Sequence, residues 1–360
     1  MTGPGVSRRR ALERFGALLA ASPLLPAQEL AGEPPGRITP RQEAVNVFEV
    51  AAVAERKLPA TVYSSIGGGD RRAFERLTFR PRMLVNVAEI DLTTELLGEK
   101  MFAPILAGPV WQQQQFHPEG ELAAARGASL ARTVMVVSAR SSYPIAQIAA
   151  ATKTTLWIQD YPEADVGAVR KRIEAALAAG CKAACLTLGT PYAPAGGAHH
   201  PAKLAPMGQP RMDWKLIENL ARSLKAPLLL KGIMTPEEAR LAVAAGAGGL
   251  VVSNHGGMFA EGLAAPIEVL ASVVDEVAGK APVLVDGSFR RGTDILKALA
   301  LGARAVLVGR PVMWGLAAYG AEGVETVLNM LQSELARSMG LCGKPNLAGL
   351  DRSLVKIHRR

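Results

Sequence analysis

The sequence predicts an α/β fold, a (β/α)8 TIM barrel with an N-terminal helical extension, on two observations. From about residue 100 onward, short apolar runs alternate with amphipathic segments, and eight such units follow one another without a hairpin signal. Hydrophobic residues make up 49% of the 360 residues and charged residues 20%, which is typical of a well-buried core. A doubly wound open sheet is the weaker interpretation, because it usually has about five or six strands and a GxGxxG motif after the first.

Each of the eight apolar runs has the length and composition of a buried parallel strand. In chain order they are APILAGP (103–109), TVMVVSA (133–139), TLWIQDY (155–161), AACLTLG (183–189), APLLLKG (226–232), GGLVVSN (248–254), APVLVDG (281–287) and AVLVGRP (305–311). Segments with helical spacing lie between them, for example VGAVRKRIEAALAAG (166–180) and TDILKALALGA (293–303). A crossover helix between successive strands predicts a parallel sheet.

Polar residues lie at the ends of seven of the eight predicted strands. Active sites of such barrels lie at the C-terminal ends of the strands. Side chains alternate along a strand, so Gln159 and Tyr161 share one face, and so do Ser253 and His255. Seven polar strand ends are hard to explain by stability alone, and they predict a functional site. In strand order, these residues are Ser138, Gln159 with Tyr161, Thr187, Lys231, Ser253 with His255, Asp286, and Gly309 with Arg310.

Two of these residues indicate acid–base chemistry. His255 precedes two glycines at a strand end, and histidine is the side chain whose ordinary pKa lies near neutrality, so it is the candidate general base. A structural histidine is the alternative. Lys231 ends a buried strand, where an unpaired ammonium is costly, so it requires an anionic or electron-rich partner. An internal salt bridge is the alternative to a ligand.

A phosphate site is predicted in the loops that follow the last two strands. The segment DGSFRRG (286–292) and the pair Gly309–Arg310 combine glycines, which let the backbone approach a ligand, with arginines, which bind phosphate oxygens. Barrels often hold phosphate in these two loops. The alternative is that these residues supply only turns and surface charge.

The N-terminal segment SRRRALERFGALLAASPLLPA (7–27) joins an arginine cluster to an apolar stretch that is too short to cross a membrane. It is similar to a twin-arginine export signal, with Arg8–Arg9 or Arg9–Arg10 as the pair, and this predicts a periplasmic protein. A basic arm on a cytoplasmic protein is the alternative. We interpret residues 1–27 as the signal, 28–44 as a linker and 45–360 as a single barrel domain.

Composition disfavours several other classes of site. The net charge is +9, but no basic run is interleaved with aromatic residues, so nucleic-acid binding is not expected. The odd count of cysteines does not build a disulfide framework, and we interpret all three as buried apolar residues. His199 and His200 lie apart from other histidines and acidic clusters, so no metal site is predicted. The cysteines are Cys181, Cys185 and Cys342.

Five stretches of the chain resemble the FMN-dependent α-hydroxy-acid oxidases and dehydrogenases, such as glycolate oxidase and mandelate dehydrogenase. The similarity extends from about Val45 to the C-terminus, and the last two stretches together are highly specific. The family's fold is an FMN-binding barrel, in agreement with the strand count. The stretches are KLPATVYSSIGGGD (57–70), FRPRML (79–84), HPEGE (117–121), LKGIMTPEEARLAVAAGAGGLVVSNHGG (230–257) and VDGSFRRGTDILKALALGARAVLVGRPV (285–312).

The resemblance implies roles for the residues at the strand ends. His255 matches the base that takes a proton as the substrate's α-hydrogen goes to flavin N5, and Tyr161 matches a substrate hydrogen-bonding residue. Lys231 would place positive charge near the flavin ring and stabilise its reduced form. The resemblance implies that the ring is held by Ser138, Gln159, Thr187 and Lys231, and that the ribose and phosphate are held by Asp286, Arg290, Gly309 and Arg310. Further implied cofactor-binding residues are Pro109, Ser253 and Gly287.

The substrate half of the family pattern is altered. Family members carry arginines where this chain has Met258 and, in the loop after the fourth strand, Gly196, and those arginines bind the substrate carboxylate. Ser65 replaces a tyrosine, Gly189 replaces the aspartate expected beside the histidine, and the loop at about 190–212 is short for the family. These changes predict a substrate other than a small 2-hydroxy acid.

Several alternatives stay open at this point. Arg140 is in phase with Ser138 on the second strand and could supply a relocated carboxylate contact. An FMN-binding barrel without redox turnover, or an isomerase that uses reduced flavin, would also fit the altered pattern. Oxygen, a quinone or a redox protein could accept the electrons, and the resemblance implies a homotetramer without a stable membrane span.

Overall fold

A computed structural model of the chain describes residues 38–163, 165–188, 212–257 and 264–358. From Pro40 onward the described residues form one compact unit. At its centre lies a closed barrel of eight parallel strands. The predicted barrel is therefore confirmed, and each of its strands lies within, or extends one residue beyond, one of the eight apolar runs.

Four of the strands in the described ranges lie outside the barrel: β1 (Leu77–Phe79), β2 (Thr94–Leu96) and β3 (Glu99–Met101) precede it, and β12 (Val355–Ile357) follows it. The barrel strands are β4 (Ile105–Ala107), β5 (Met135–Ser138), β6 (Leu156–Asp160), β7 (Ala183–Thr187), β8 (Leu228–Ile233), β9 (Gly249–Val252), β10 (Val283–Val285) and β11 (Ala305–Val308). They pair in chain order, and β11 closes the ring against β4.

The helices of the described residues surround the barrel and precede it. They are α1 (Val47–Lys57), α2 (Ala60–Tyr63), α3 (Arg72–Glu75), α4 (Gly120–Leu130), α5 (Ile145–Ala150), α6 (Val166–Ala178), α7 (Trp214–Ser223), α8 (Pro236–Ala244), α9 (Pro266–Val277), α10 (Gly292–Ala300) and α11 (Arg310–Leu341). In the part of the chain that the structure describes, no helix combines the length and the apolar character that a membrane span requires.

Alternation along the barrel strands divides their apolar side chains between two cores. One set fills the barrel interior, and the other packs between the strands and the surrounding helices. The interior set includes Leu106, Val136, Trp157, Cys185, Leu229, Val251, Leu284 and Leu307. Their sequence neighbours in the outer core include Ile105, Val137, Ile158, Leu186, Leu230, Val252, Val285 and Val308.

Two antiparallel pairs lie outside the barrel, and the sequence analysis did not predict them. β2 and β3 form a hairpin around Leu97 and Gly98, which both have positive φ, and its Leu96 and Met101 pack with the barrel's interior core. β1 pairs with β12, close to the other end of the chain. The hairpin could not be predicted from the strand–helix pattern, because it lies just before that pattern begins. The β1–β12 pair could not be predicted because its strands are far apart in sequence.

The long helix α11 is divided by a break at Tyr319 and Gly320, where the backbone is not helical. The backbones on the two sides of the break approach each other closely at Gly315 and Gly323. A Cβ on Gly323 would overlap the Gly315 carbonyl oxygen. A Cβ on Gly127 of α4 would likewise overlap the carbonyl oxygen of Ala321. The packing of α11 on itself and on α4 therefore depends on glycines.

Candidate active site

The side chains that point into the barrel interior are apolar along most of each strand and polar at the C-terminal end. Each of these polar residues lies two positions after an interior apolar residue, so its side chain points to the same side of the strand. The pairs are Val136 with Ser138, Trp157 with Gln159, Cys185 with Thr187, Leu229 with Lys231, Val251 with Ser253, and Leu284 with Asp286. The predicted site residues therefore form the top layer of the barrel.

Strand register brings these residues into contact in neighbouring pairs. Ser138 of β5 lies opposite Gln159 of β6, and Thr187 of β7 lies opposite Lys231 of β8. The Gln159 amide donates a hydrogen bond to the Thr187 hydroxyl at 2.9 Å. All four side chains belong to residues that are at most 6% exposed. Such a buried polar layer matches the hydrogen-bonding edge of a planar polar ligand.

Lys231 has the partner that its burial requires. Its ammonium lies 2.9 Å from the Asp286 carboxylate and donates a hydrogen bond to the Ser253 hydroxyl at 2.9 Å. The internal salt bridge considered from the sequence is thus present, and it is formed by another of the predicted site residues. The second Asp286 oxygen, Oδ1, is buried and accepts no hydrogen bond from the described residues. A ligand hydroxyl could satisfy this acceptor.

His255 lies at the mouth of the barrel in a strained backbone conformation, with φ at 53°. Its backbone N–H donates to the Ser253 hydroxyl at 3.2 Å. Its Nε2 lies 3.0 Å from the Leu188 carbonyl oxygen, which only accepts, so this contact orients the ring with the proton on Nε2. Burial, and then the Lys231 charge, lower the pKa of His255 to about 4. The imidazole is therefore neutral at pH 7 and able to accept a proton.

Gly232 makes room for this arrangement. It lies at a register shift in β8 and has a φ of 110°, which favours glycine. A Cβ there would lie 2.6 Å from the Leu188 oxygen and 2.9 Å from His255 Nε2. The sequence analysis did not single out Gly232, although a glycine inside a strand run is a signal of close backbone approach.

Two arginines converge beside the last strands of the barrel. Gly69 lies between them, because a Cβ there would be 3.0 Å from both Arg290 Nη2 and Arg310 Nη1. Arg290 is only 3% exposed and donates to the Gly68 carbonyl at 3.1 Å. Burial, followed by the charges of Arg310 and Arg71, lowers the pKa of Arg290 to about 9. Burial also lowers the pKa of Arg310. Positive charge crowded in this way favours an anionic ligand.

Asp294 holds the arginine cluster together by accepting hydrogen bonds from three of the arginines. Its carboxylate accepts two hydrogen bonds from Arg71 Nη2 at 3.0 Å, and it also accepts the backbone N–H groups of Arg290 and Arg291. Arg290 and Arg310 are predicted from the sequence as phosphate-binding residues. Arg71, Asp294 and the Gly68–Gly69 turn are not predicted as parts of this site. No local pattern links these residues, because the turn is more than 200 positions from the arginines in sequence.

Tyr161 and Arg140 lie at the rim of the barrel. The backbone N–H of Tyr161 donates to Asp160 Oδ1 at 2.8 Å, and Arg172 binds the other Asp160 oxygen at 2.9 Å. The Arg140 guanidinium lies over the Tyr161 ring, 4.6 Å from its centroid. The structure thus brings together the two residues that the sequence analysis proposed for substrate contact.

The remaining predicted positions divide between described and undescribed residues. Pro109 follows β4, and Gly287 follows β10 with a φ of 104°. Ser65 is exposed and donates to the Val62 carbonyl at 2.7 Å. The positions that lie outside the described residues are Met258, Gly189, Gly196, His199 and His200.

The cysteines and metal-binding side chains add no second site to the described part of the chain. Cys181, Cys185 and Cys342 are all buried and free, and burial raises the pKa of the Cys185 thiol to about 12. Such a thiol is unreactive at neutral pH. Among the described residues, no three His, Cys, Asp or Glu side chains cluster as a metal would require.

A closed (β/α)8 barrel with a buried polar layer, a histidine and two converging arginines at its C-terminal end is typical of the barrel enzymes, whose sites lie at that end. The chain belongs to the family of FMN-dependent dehydrogenases, whose family model matches residues 68–203 and 194–357. It is therefore an FMN-dependent oxidoreductase that acts on CH–OH donors.

Individual relatives agree over nearly their whole length. The chain is 37% identical to the peroxisomal (S)-2-hydroxyacid oxidase GLO3 of Arabidopsis thaliana, over 87% of this chain and 97% of that protein. It is 39% identical to L-lactate oxidase of a Nostoc species, over 87% of this chain and 98% of the relative. Among solved structures, mandelate oxidase with (S)-2-phenylpropionate is 36% identical, with a TM-score of 0.80 over 88% of this chain and all of the other.

The residues present fit FMN. The converging Arg290 and Arg310 would hold its phosphate, and the unsatisfied Asp286 Oδ1 would accept a hydrogen bond from a ribitol hydroxyl. The buried layer of Ser138, Gln159, Thr187 and Lys231 would bind the polar edge of its ring. These assignments to individual atoms of the cofactor remain predictions.

Proposed function

We propose that this protein oxidises a CH–OH carbon with His255 as the general base. The observation that carries the proposal is the neutral imidazole at the barrel mouth, oriented by the Leu188 carbonyl and lowered in pKa by burial and by Lys231. A base must be unprotonated before it can take the substrate's proton, and His255 meets that condition at pH 7. When bound, FMN supplies the two-electron acceptor of the reaction.

Lys231 and Tyr161 complete the proposed catalytic set. The Lys231 ammonium, held by Asp286 and Ser253, keeps a positive charge beside the ring-binding layer and disfavours protonation of the histidine. Tyr161 would donate a hydrogen bond to the substrate oxygen from the rim. Each residue thus contributes charge or orientation without leaving its present position.

The test of this proposal is the His255→Gln variant. We expect kcat to fall by about 100-fold or more while FMN content is unchanged, since His255 is assigned to proton transfer and not to cofactor binding. A matched control is His358→Gln, because His358 is an exposed histidine whose contact is the Thr78 hydroxyl. Unchanged turnover in His255→Gln would overturn the assignment.

The proposed substrate is larger than, or chemically different from, a small 2-hydroxy acid. The support is the sequence itself, which has Met258 and Gly196 where the family has carboxylate-binding arginines. The double variant Met258→Arg with Gly196→Arg is expected to gain activity on lactate. No gain in the double variant, in a protein that still binds FMN, would contradict this interpretation.

An FMN-binding barrel without turnover is the second candidate, and the same altered positions favour it. Anaerobic addition of hydroxy acids, alcohols and amines to the FMN-loaded protein distinguishes the two. Loss of the flavin colour with any of these compounds supports the oxidoreductase, and its persistence with all of them supports the second candidate. Repeating the assay with oxygen or a quinone identifies the electron acceptor.

We also propose that residues 1–27 direct export to the periplasm and that the protein is a homo-oligomer. The first proposal is supported by the arginine cluster at Arg8 to Arg10 before a short apolar stretch. Replacing these three arginines with lysine should leave the protein in the cytoplasm, and equal export of the variant and the wild type would contradict the proposed export signal.

Light scattering tests the proposed homo-oligomer. A monomeric mass would contradict it.

A further inference from the structure

The loops after β4 and β5 form a braced unit at the barrel rim. Gln113 and Ser142 both donate their backbone N–H groups to Glu121 Oε1, at 2.9 and 3.0 Å. Glu121 is fully buried. The backbone N–H of Gln112 also donates to the Arg140 carbonyl at 3.0 Å. The two loops are therefore joined directly by one hydrogen bond and indirectly through Glu121, and the backbone of Arg140 is held in place.

The Arg140 guanidinium lies over the Tyr161 ring, 4.6 Å from its centroid. Within the described ranges, no carboxylate forms an ion pair with it. Tyr161 itself is held by the buried Asp160, which is bound in turn by Arg172. A guanidinium stacked on an aromatic ring keeps its N–H donors available along its edge. Arg140 is thus a positioned cation beside a proposed substrate contact, with no carboxylate partner among the described residues.

An exposed aromatic residue belongs to the same braced unit. Trp111 directly precedes Gln112, and 46% of its surface is exposed. A cation and an exposed indole on adjacent loops are suited to a ligand that combines an anionic group with an apolar body.

We propose that Arg140 binds the anionic group of the substrate, and that the substrate class is an anion with a large apolar body. This inference rests on the proposed function, because it places the ligand at the same barrel mouth. Arg140 would supply a carboxylate contact in a site that has Met258 and Gly196 in place of the family's two carboxylate-binding arginines. The anion is recognised from the rim by a residue of the β5 loop.

The experiment measures equilibrium binding to the FMN-loaded protein by calorimetry, with benzoylformate as the anionic probe and its methyl ester as the uncharged probe. We expect Arg140→Gln to weaken benzoylformate binding by about tenfold or more and to leave the ester unchanged, since one charge-assisted contact is lost. Arg140→Lys is expected to recover part of the affinity, because it keeps the charge but not the paired donors.

Arg132→Gln is the matched control. Arg132 is also exposed and also lies over an aromatic ring, 3.7 Å from the centroid of Phe102, but it precedes β5 and so belongs to the opposite end of the barrel. Its replacement is expected to change neither probe. Equal affinity of Arg140→Gln and the wild type for benzoylformate would overturn the proposal, as would equal weakening of both probes or no binding of the anion to the wild type.

Pyruvate tests the apolar part of the proposal. We expect benzoylformate to bind more tightly than pyruvate, and Trp111→Ala to reduce that difference by removing the aromatic surface. Pyruvate binding as tight as benzoylformate binding would overturn the claim of a large apolar body. Calorimetry does not require turnover, so these results are distinct from a failure of the proposed oxidation, which would appear as flavin that no substrate bleaches.

Discussion

The His255 imidazole lies near two opposite charges, the Lys231 ammonium and the Asp286 carboxylate. Burial and Lys231 lower its pKa, whereas Asp286 and the Leu188 contact oppose that shift. The resulting pKa of about 4 leaves the imidazole unprotonated at neutral pH and makes it a weak base. The protonation of His255 therefore depends on groups that one strand, β8, and the loops after β7 and β10 bring together.

The pH dependence of turnover tests this balance. With the pKa of His255 lowered to about 4, the base is unprotonated over the whole neutral range. We expect kcat/KM to show an acid limb that lies well below the ordinary histidine value of about 6.5. A limb near 6.5 would contradict the assignment of His255 as the base in this environment.

The same shift has a consequence for stability. Because the folded-state pKa of His255 lies below the unfolded-state value, the unfolded chain binds more protons between these values, and stability falls as the pH decreases from about 6.5 through about 4. We expect the wild type to lose Tm relative to His255→Gln over this window, measured by thermal unfolding. Parallel pH curves for the two proteins would contradict the prediction.

Gly232 provides a steric test at the same scale. In Gly232→Ala the new methyl group would meet the Leu188 carbonyl and His255, so we expect turnover to fall by about tenfold or more through displacement of the base. The matched control is Gly246→Ala, which also has positive φ but whose Cβ would meet only Ala221, at 3.9 Å. The control should lose about 1 to 2 kcal/mol of stability and keep its turnover.

Among the elements, α11 shows how closely packing depends on single glycines. Its two segments meet across the break at Tyr319 and Gly320, with Gly315 against Gly323. The same segments pack on α4 and α1, so the helix links the N-terminal elements to the barrel. The hydrophobic pattern of this segment predicts a helix, but it does not reveal that the helix must fold back against its own earlier turn.

Two substitutions in α11 separate helix propensity from close packing. Gly323→Ala is expected to lower the free energy of unfolding by about 2 kcal/mol or more, because its methyl group would overlap the Gly315 carbonyl. Gly340→Ala lies in the same helix with only Ile90 nearby, at 3.8 Å, and is expected to raise it by up to about 1 kcal/mol. Denaturant unfolding measures both, and a stabilised Gly323→Ala would contradict the close approach.

For the whole molecule, barrel closure gathers the site from the entire length of the chain. Gly69 reaches Arg290 and Arg310, and the β5 and β6 loops reach the same mouth from the other side of the ring. The barrel carries the polar residues of the predicted site at its C-terminal end, and the β2–β3 hairpin outside the barrel packs with its interior core.

A matched pair of arginines that flank β11 tests the difference between the two ends of the barrel. Arg310 follows this strand, and Arg304 precedes it, and each donates one 3.4 Å hydrogen bond to a backbone carbonyl. We expect Arg310→Gln to weaken FMN binding by about tenfold or more and Arg304→Gln to leave it unchanged, as measured by flavin fluorescence. Equal affinities for all three proteins would contradict the proposed phosphate site.

Three features could be predicted from the sequence alone: the eight barrel strands, the phase that points Ser138, Gln159, Thr187 and Lys231 inward, and the end of the barrel where these residues lie. These follow from local periodicity, which every short segment carries. Only the tertiary structure decided that Asp286 neutralises Lys231, that Gly69 separates two arginines, and that His255 is a weak base. Desolvation and contacts between distant segments arise from packing, and no short stretch of sequence contains them.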